Sequence, residues 1–226
     1  KSIGVIGSND PIMDRISENV KLSLSHVGSL GGVLALKKNE TTIAPIHILD
    51  NKSGNYNKDV LKKYFPSKDV VLIKGIKREQ GLIIPKGNPK HIKGIEDLKR
   101  EDITFMNRQR GAGTRILLDY RLEKLNIDNS EIKGYEREST THLAAAMSVS
   151  SLTCDTALGV KSAADILDLD FIFVGDEDYD FAILKESLKD ERVLKFIEYI
   201  RSENFAKEIE KIPGYKLEDP GKIIEI

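Results

Sequence analysis

The stretch 107–115, Asn107-Arg108-Gln109-Arg110-Gly111-Ala112-Gly113-Thr114-Arg115, places three arginines, two glycines and a hydroxyl within one short segment. Arginine carries a permanent charge on a planar fork that suits a tetrahedral oxyanion or a carboxylate. A β-type run at 103–105 precedes the stretch, and 116–125 follows it with the apolar spacing of a helix, so the motif reads as a strand-to-helix turn. The first N–H groups of a helix have no partner within it and carry partial positive charge. Gly111, Ala112, Gly113 and Thr114 can therefore offer several donors to one anion. Gly-x-Gly-Thr alone is a tight turn about as often as a binding loop. Arg108, Arg110 and Arg115 shift the balance toward an anion site.

Other turns repeat the pattern. After a strand at 3–6, Gly7-Ser8-Asn9-Asp10-Pro11 leads into a helix. Asp10 before a proline reads as an N-cap, and a carboxylate would repel an anion, which leaves Ser8 and Asn9 as the candidates. After a second strand at 22–27, Gly28-Ser29-Leu30-Gly31-Gly32 opens the helix at 33–38, with Ser29 either a cap or a ligand donor. Ser139-Thr140-Thr141-His142 starts a further helix, where Thr141 is the chosen ligand candidate and Thr140 or Thr141 could equally cap. Arg78, Arg108 and His47 are secondary candidates. Arg78 shares a strand face with Gln80 and reads more readily as a solvated edge. His47, on an apolar strand at 42–49, reads more readily as a core side chain than as a catalyst.

The elements around these turns alternate strand and helix, which implies parallel sheets with ligands beyond the carboxyl ends of the strands. Two charged extended passages, near 75–80 and 175–180, read as crossings between lobes. One lobe then comprises 1–76 with 180–226 and the other 77–179, with Ser8, Ser29, Gly111 and Thr141 around a ligand cleft. Strands are also expected at 70–73, 132–135, 155–160, 171–174 and 181–184. The closing helices, 192–201 and 203–212, bury Val193, Phe196, Ile197 and Ile200.

Composition narrows the function. The chain has 226 residues, 40% of them hydrophobic and 31% charged, with a net charge of -1. Such a balance suits a globular protein and supplies no general positive field for nucleic acid. No apolar run approaches the ~20 residues of a membrane span, and the first residues do not read as a signal peptide, so a cytoplasmic protein is expected. The start at Lys1, directly on a strand, suggests a covalently linked upstream domain. One cysteine, Cys154, excludes an internal disulfide, and the four histidines lack metal-ligand spacing, so neither a metal nor a cofactor is expected.

The stretches 26–32 (His-Val-Gly-Ser-Leu-Gly-Gly), 78–81 (Arg-Glu-Gln-Gly), 87–89 with Asp97-Leu98, 107–115 with Leu118-Asp119-Tyr120, and 134–138 with Thr141-His142 carry a resemblance. The chain resembles the type II periplasmic-binding-protein superfamily. More narrowly, it is similar to the cytoplasmic binding-protein-like domain fused to molybdopterin biosynthesis proteins of the molybdenum-insertion (MoeA) type or to molybdate-responsive DNA-binding regulators. The resemblance implies an α/β, two-lobed fold, each lobe a mostly parallel sheet flanked by helices, that closes on a small oxyanion, with molybdate or tungstate the natural ligand. It departs from the pattern at 150–155, Ser-Ser-Leu-Thr-Cys-Asp, where a glycine-containing turn is expected. The implied function is oxyanion binding or sensing linked to molybdenum cofactor biosynthesis. The alternatives are the ligand-sensing domain of a transcriptional regulator, or part of a molybdopterin molybdenumtransferase. No catalytic residue is assigned, because neither paired carboxylates nor a base for Cys154 can be named from the spacing.

Overall fold

The computed structural model describes residues 1–226. In chain order the elements are β1 (Ile3–Gly7), α1 (Pro11–Ser17), β2 (Leu22–His26), α2 (Ser29–Lys37), β3 (Ile43–Ile46), α3 (Lys58–Tyr64), β4 (Val70–Ile84), β5 (Phe105–Arg108), α4 (Gly113–Lys124), β6 (Glu138–Ser139), α5 (His142–Ser150), β7 (Thr156–Val160), α6 (Lys161–Ile166), β8 (Asp170–Leu184), α7 (Glu191–Ile200), α8 (Glu203–Glu210), β9 (Tyr215–Lys216) and β10 (Ile223–Glu225). The chain forms two compact units, Lys1–Lys77 with Glu177–Ile226, and Arg78–Asp176. No helix is long and apolar enough to cross a membrane.

In the first unit β1 lies parallel to β2 and β3, and β3 runs antiparallel to β8, with Ile43 opposite Ile183. Every residue of β3 is buried, as a strand covered on both faces requires. Helix α7 turns Val193, Phe196, Ile197 and Ile200 inward at helical spacing. Phe196 meets Phe181 edge-on at 5.0 Å between centroids, and Phe181 meets Tyr179 in the same way at 5.8 Å. In the second unit β5 is parallel to β6 and β7, and β7 is antiparallel to β4. Its core is built from small residues, Ala145, Ala146, Ala157, Ala163 and Ala164, which let α5 and α6 sit close to the sheet.

Several expectations are corrected. Residues 132–135 are not a strand but a turn, closed by Tyr135 N–H to Ile132 O and Arg137 N–H to Gly134 O. Gly134 at φ 99° lies so near β5 that a Cβ there would stand 1.9 Å from Phe105 O, and pairing resumes only at the two-residue β6. The segments at 171–174 and 181–184 join through the acidic run into one 15-residue strand, β8. Arg78 and Gln80 are no solvated edge, since 8% and 0% of their surfaces are exposed. The third strand is shorter than the run 42–49, because it stops at Ile46.

The 150–155 departure has a defined geometry. Helix α5 ends with Leu152 N–H bonded to Val149 O and Thr153 N–H to Ser148 O, a paired closure that needs a left-handed residue at its corner. That residue is Leu152, at φ 61° and 74% exposed. A left-handed leucine carries roughly 1–2 kcal/mol of steric strain that glycine lacks. Leu152→Gly should therefore raise stability by about 1 kcal/mol, or roughly 2–4 °C in melting midpoint. An unchanged or lower midpoint would contradict this account of the turn.

A buried carboxylate closes the first unit around α3. Asp180 accepts from Gly75 N–H at 2.9 Å and from Asn57 Nδ2 at 2.9 Å, while Asn57 Oδ1 accepts from Ile48 N–H at 2.7 Å. Burial pushes the Asp180 carboxyl up to about 6, against the pull of those two donors. The folded state thus holds its proton more tightly than an unfolded chain with an ordinary value of 3.8. The native contribution is greatest below the unfolded value and declines as pH rises toward 6. Carbon-detected titration should find the Asp180 midpoint near 6, whereas a midpoint near 4 would show that the hydrogen bonds outweigh burial.

Candidate functional site

The helix starts are the natural place to begin, because each must dispose of unpaired N–H groups. Four are capped by side chains. Asp10 accepts from Ile12 N–H, Thr141 from Ala144 N–H, Asp190 from Arg192 N–H and Ser202 from Phe205 N–H. The other four, α2, α3, α4 and α6, have no side-chain cap, and of these α2 and α4 follow the glycine turns. The N-caps of α2 and α4 are Gly28 and Ala112. At α2 the N–H groups of Ser29, Leu30 and Gly31, and at α4 those of Gly113, Thr114 and Arg115, meet no acceptor from the chain. Gly28 at φ 82° and Gly111 at φ 87° supply the left-handed turns that lead into them.

In the first unit Ser8, Ser29 and His47 come together. Ser8 Oγ lies 2.8 Å and Ser29 Oγ 3.2 Å from His47 Nδ1, and Ser29 Oγ accepts from His47 N–H at 3.0 Å. Ser29 is therefore not the cap of α2, which is Gly28. His47 is half-buried, its ring stacked 6.2 Å from that of Tyr179, and Tyr179 donates its hydroxyl to Ser8 O at 2.7 Å. Helix α2 packs tightly enough on β1 that a Cβ on Gly32 would stand 2.7 Å from Ile6 O, which fixes the start of the helix relative to Ser8. Asn9 is exposed. Asp10 is the cap of α1, its second oxygen accepting from Tyr215 Oη at 2.7 Å.

In the second unit Arg108, Gly111, Ala112, Gly113, Thr114 and Arg115 all lie at the junction of β5 and α4, with different duties. Arg115 is 5% exposed; it donates to Arg108 O at 3.0 Å, pairs with Glu138 at 2.9 Å and lies 4.8 Å over the Tyr135 ring. Arg108 donates to Ser139 O and Thr140 O at 3.3 and 3.2 Å, tying β5 to the turn before α5, and burial lowers its pKa. Arg110 is exposed, with Glu136 at 4.0 Å. Two of the motif's arginines thus hold the turn in shape. Thr141 caps α5 through its Oγ1 and remains exposed. Thr114 is buried and donates its hydroxyl to Gln80 Oε1 at 3.1 Å.

Sequence reasoning placed Gln80 beside Arg78 on a solvated edge and ranked His47 low. Gln80 closes the charged run Lys77-Arg78-Glu79, which hides its burial in the sequence, and the signal pointing inward is the apolar run Leu82-Ile83-Ile84 that follows it. Cys154 is buried, and burial pushes its thiol up to about 11, so the thiolate that a nucleophile requires is not formed near neutral pH.

Residues 12–201 match the model of the PBP superfamily domain. The chain belongs to the PBP superfamily. A relative, the uncharacterized protein YvgK of Bacillus subtilis (strain 168), is 34% identical over 227 residues, covering 97% of this chain and 73% of its own. Solved structures with the same α/β fold include the tungstate-binding protein TupA from Desulfovibrio alaskensis G20, at a TM-score of 0.72 and 11% identity over 100% of this chain and 98% of that one. Another is an ABC-type phosphate transport receptor from Vibrio cholerae, at 0.67 and 17% over 96% and 100%. At such identities the likeness concerns the fold.

Proposed function

We propose that this PBP-superfamily domain binds a small oxyanion, with molybdate or tungstate as the ligand. The observation that carries the reading is the pair of glycine-turned helix starts, α2 and α4, whose first three N–H groups meet no acceptor; α3 and α6 also lack a side-chain cap but do not start from a glycine turn with neighbouring hydroxyls or arginines. Within the first unit the hydroxyls of Ser8 and Ser29 accompany α2, and within the second the hydroxyl of Thr114 and the charge of Arg110 accompany α4. The uncapped starts favour an anion, since they combine geometric donors with the positive end of the helix dipole. Four hydrogen bonds to a charged ligand, at roughly 1.5–3 kcal/mol each, are of the order needed for the ~8 kcal/mol of a micromolar complex.

Similar folds are named for tungstate and phosphate and others for L-glutamate and shikimate, so the fold is compatible with an oxyanion and the preference for one rests on the open amides. The choice of molybdate or tungstate, and the link to molybdenum cofactor biosynthesis in a cytoplasmic protein, rests on the resemblance carried by 26–32, 78–81 and 107–115. In this reading the domain senses or holds its ligand and performs no chemistry on it.

Calorimetric titration of the chain with sodium tungstate should give saturable binding that survives chelators. Ser29→Ala should weaken it at least tenfold. Absence of heat with tungstate, molybdate, sulfate and phosphate alike would remove the reading.

A further inference from the structure

Beneath the start of α4 lies a polar arrangement that is only half satisfied. Gln80, on β4 opposite Val160 of β7, has none of its surface exposed, and Thr114, the second residue of α4, is 3% exposed. The Thr114 hydroxyl donates to Gln80 Oε1 at 3.1 Å. Gln80 Nε2, which carries two hydrogens, meets no acceptor. Burying an amide donor without a partner forfeits the hydrogen bonds it would make in water. A hydroxyl has a single hydrogen, so in this orientation Thr114 shows only lone pairs to its surroundings. That is the wrong polarity for an anion received by the unpaired N–H groups of Gly113 and Thr114.

Half a turn of the Gln80 carboxamide about its last side-chain bond corrects this polarity. Nε2 would then donate to Thr114 Oγ1, and the Thr114 hydrogen would be free to join the amides on an anion. The terminal torsion of glutamine is broad and roughly two-fold, so the two orientations are torsionally similar. The position vacated by Nε2 gives up no hydrogen bond, because it made none.

We propose that Gln80 is a positioning residue for the oxyanion site: its carboxamide turns when an anion settles at the start of α4, so that Thr114 changes from donor to Gln80 into donor to the ligand. The inference rests on the oxyanion reading. Gln80 does not touch the ligand and acts through Thr114, so its effect must disappear when the Thr114 hydroxyl is absent.

A double-mutant cycle on the full chain, with tungstate affinity as readout, tests this. Gln80→Leu and Thr114→Val should each weaken tungstate about tenfold, and the double variant should bind within about twofold of Thr114→Val alone. The ligand-free melting midpoint of Gln80→Leu should stay near that of the parent, which separates positioning from a structural loss. The Gln80 side-chain amide resonances should shift on adding tungstate to the parent chain. If Gln80→Leu does not fold, Gln80→Met takes its place in the cycle. Wild-type affinity in the Gln80 variant, or additive losses in the double variant, would overturn the role of Gln80 while leaving the oxyanion reading intact. A parent chain that binds no oxyanion would overturn both.

Discussion

A helix leaves its first amide hydrogens without partners, and a folded chain must cap them, hydrate them or use them. This protein does the first at four helices, where Asp10, Thr141, Asp190 and Ser202 each accept a backbone hydrogen. At α2, α3, α4 and α6 no side chain caps the start, and α2 and α4 join that opening to a glycine turn. Both begin after a glycine with positive φ; α4 follows the largely buried strand β5, and α2 is packed onto β1 through Gly32. The functional reading depends on these two glycine-turned starts.

Charge is arranged to support the donors more than to replace them. With a net charge of -1, the chain has no broad positive field to gather anions. Arg115 and Arg108, which look from their spacing like anion ligands, act as braces. Arg115 joins α4 to β6 through Glu138 and to β5 through a carbonyl, and Arg108 joins β5 to the entry of α5. A guanidinium suits such bracing because its several donors lie in one rigid plane. Arg110 remains exposed. The first unit has a comparable internal order in which His47 gathers the hydroxyls of Ser8 and Ser29 and Tyr179 fastens the Ser8 carbonyl.

The architecture was legible in the sequence because alternating apolar runs and glycine-rich turns report directly on strands followed by helices. Asp10 and Pro11 marked the start of α1, and Val193, Phe196, Ile197 and Ile200 marked the buried face of α7. The turn at 132–137 was not legible, since Ile132 and Tyr135 are as apolar as a strand and only the contact of Gly134 with Phe105 forces the bend. Side-chain duty was harder still. Local spacing brings Arg115 close to Gly113, but its partner Glu138 lies 23 residues away, and Gln80 meets Thr114 across 34. Such pairings follow from strand order, which one sequence does not display.

The most direct test is to locate the metal of a bound tungstate by anomalous diffraction from crystals grown with the ion. The account predicts a tungsten peak at the amino end of α4, with oxyanion oxygens at about 2.7–3.2 Å from the Gly113 and Thr114 nitrogens. A peak confined to the basic surface around Lys1, Lys21 and Lys195, or no ordered tungsten at all, would contradict it.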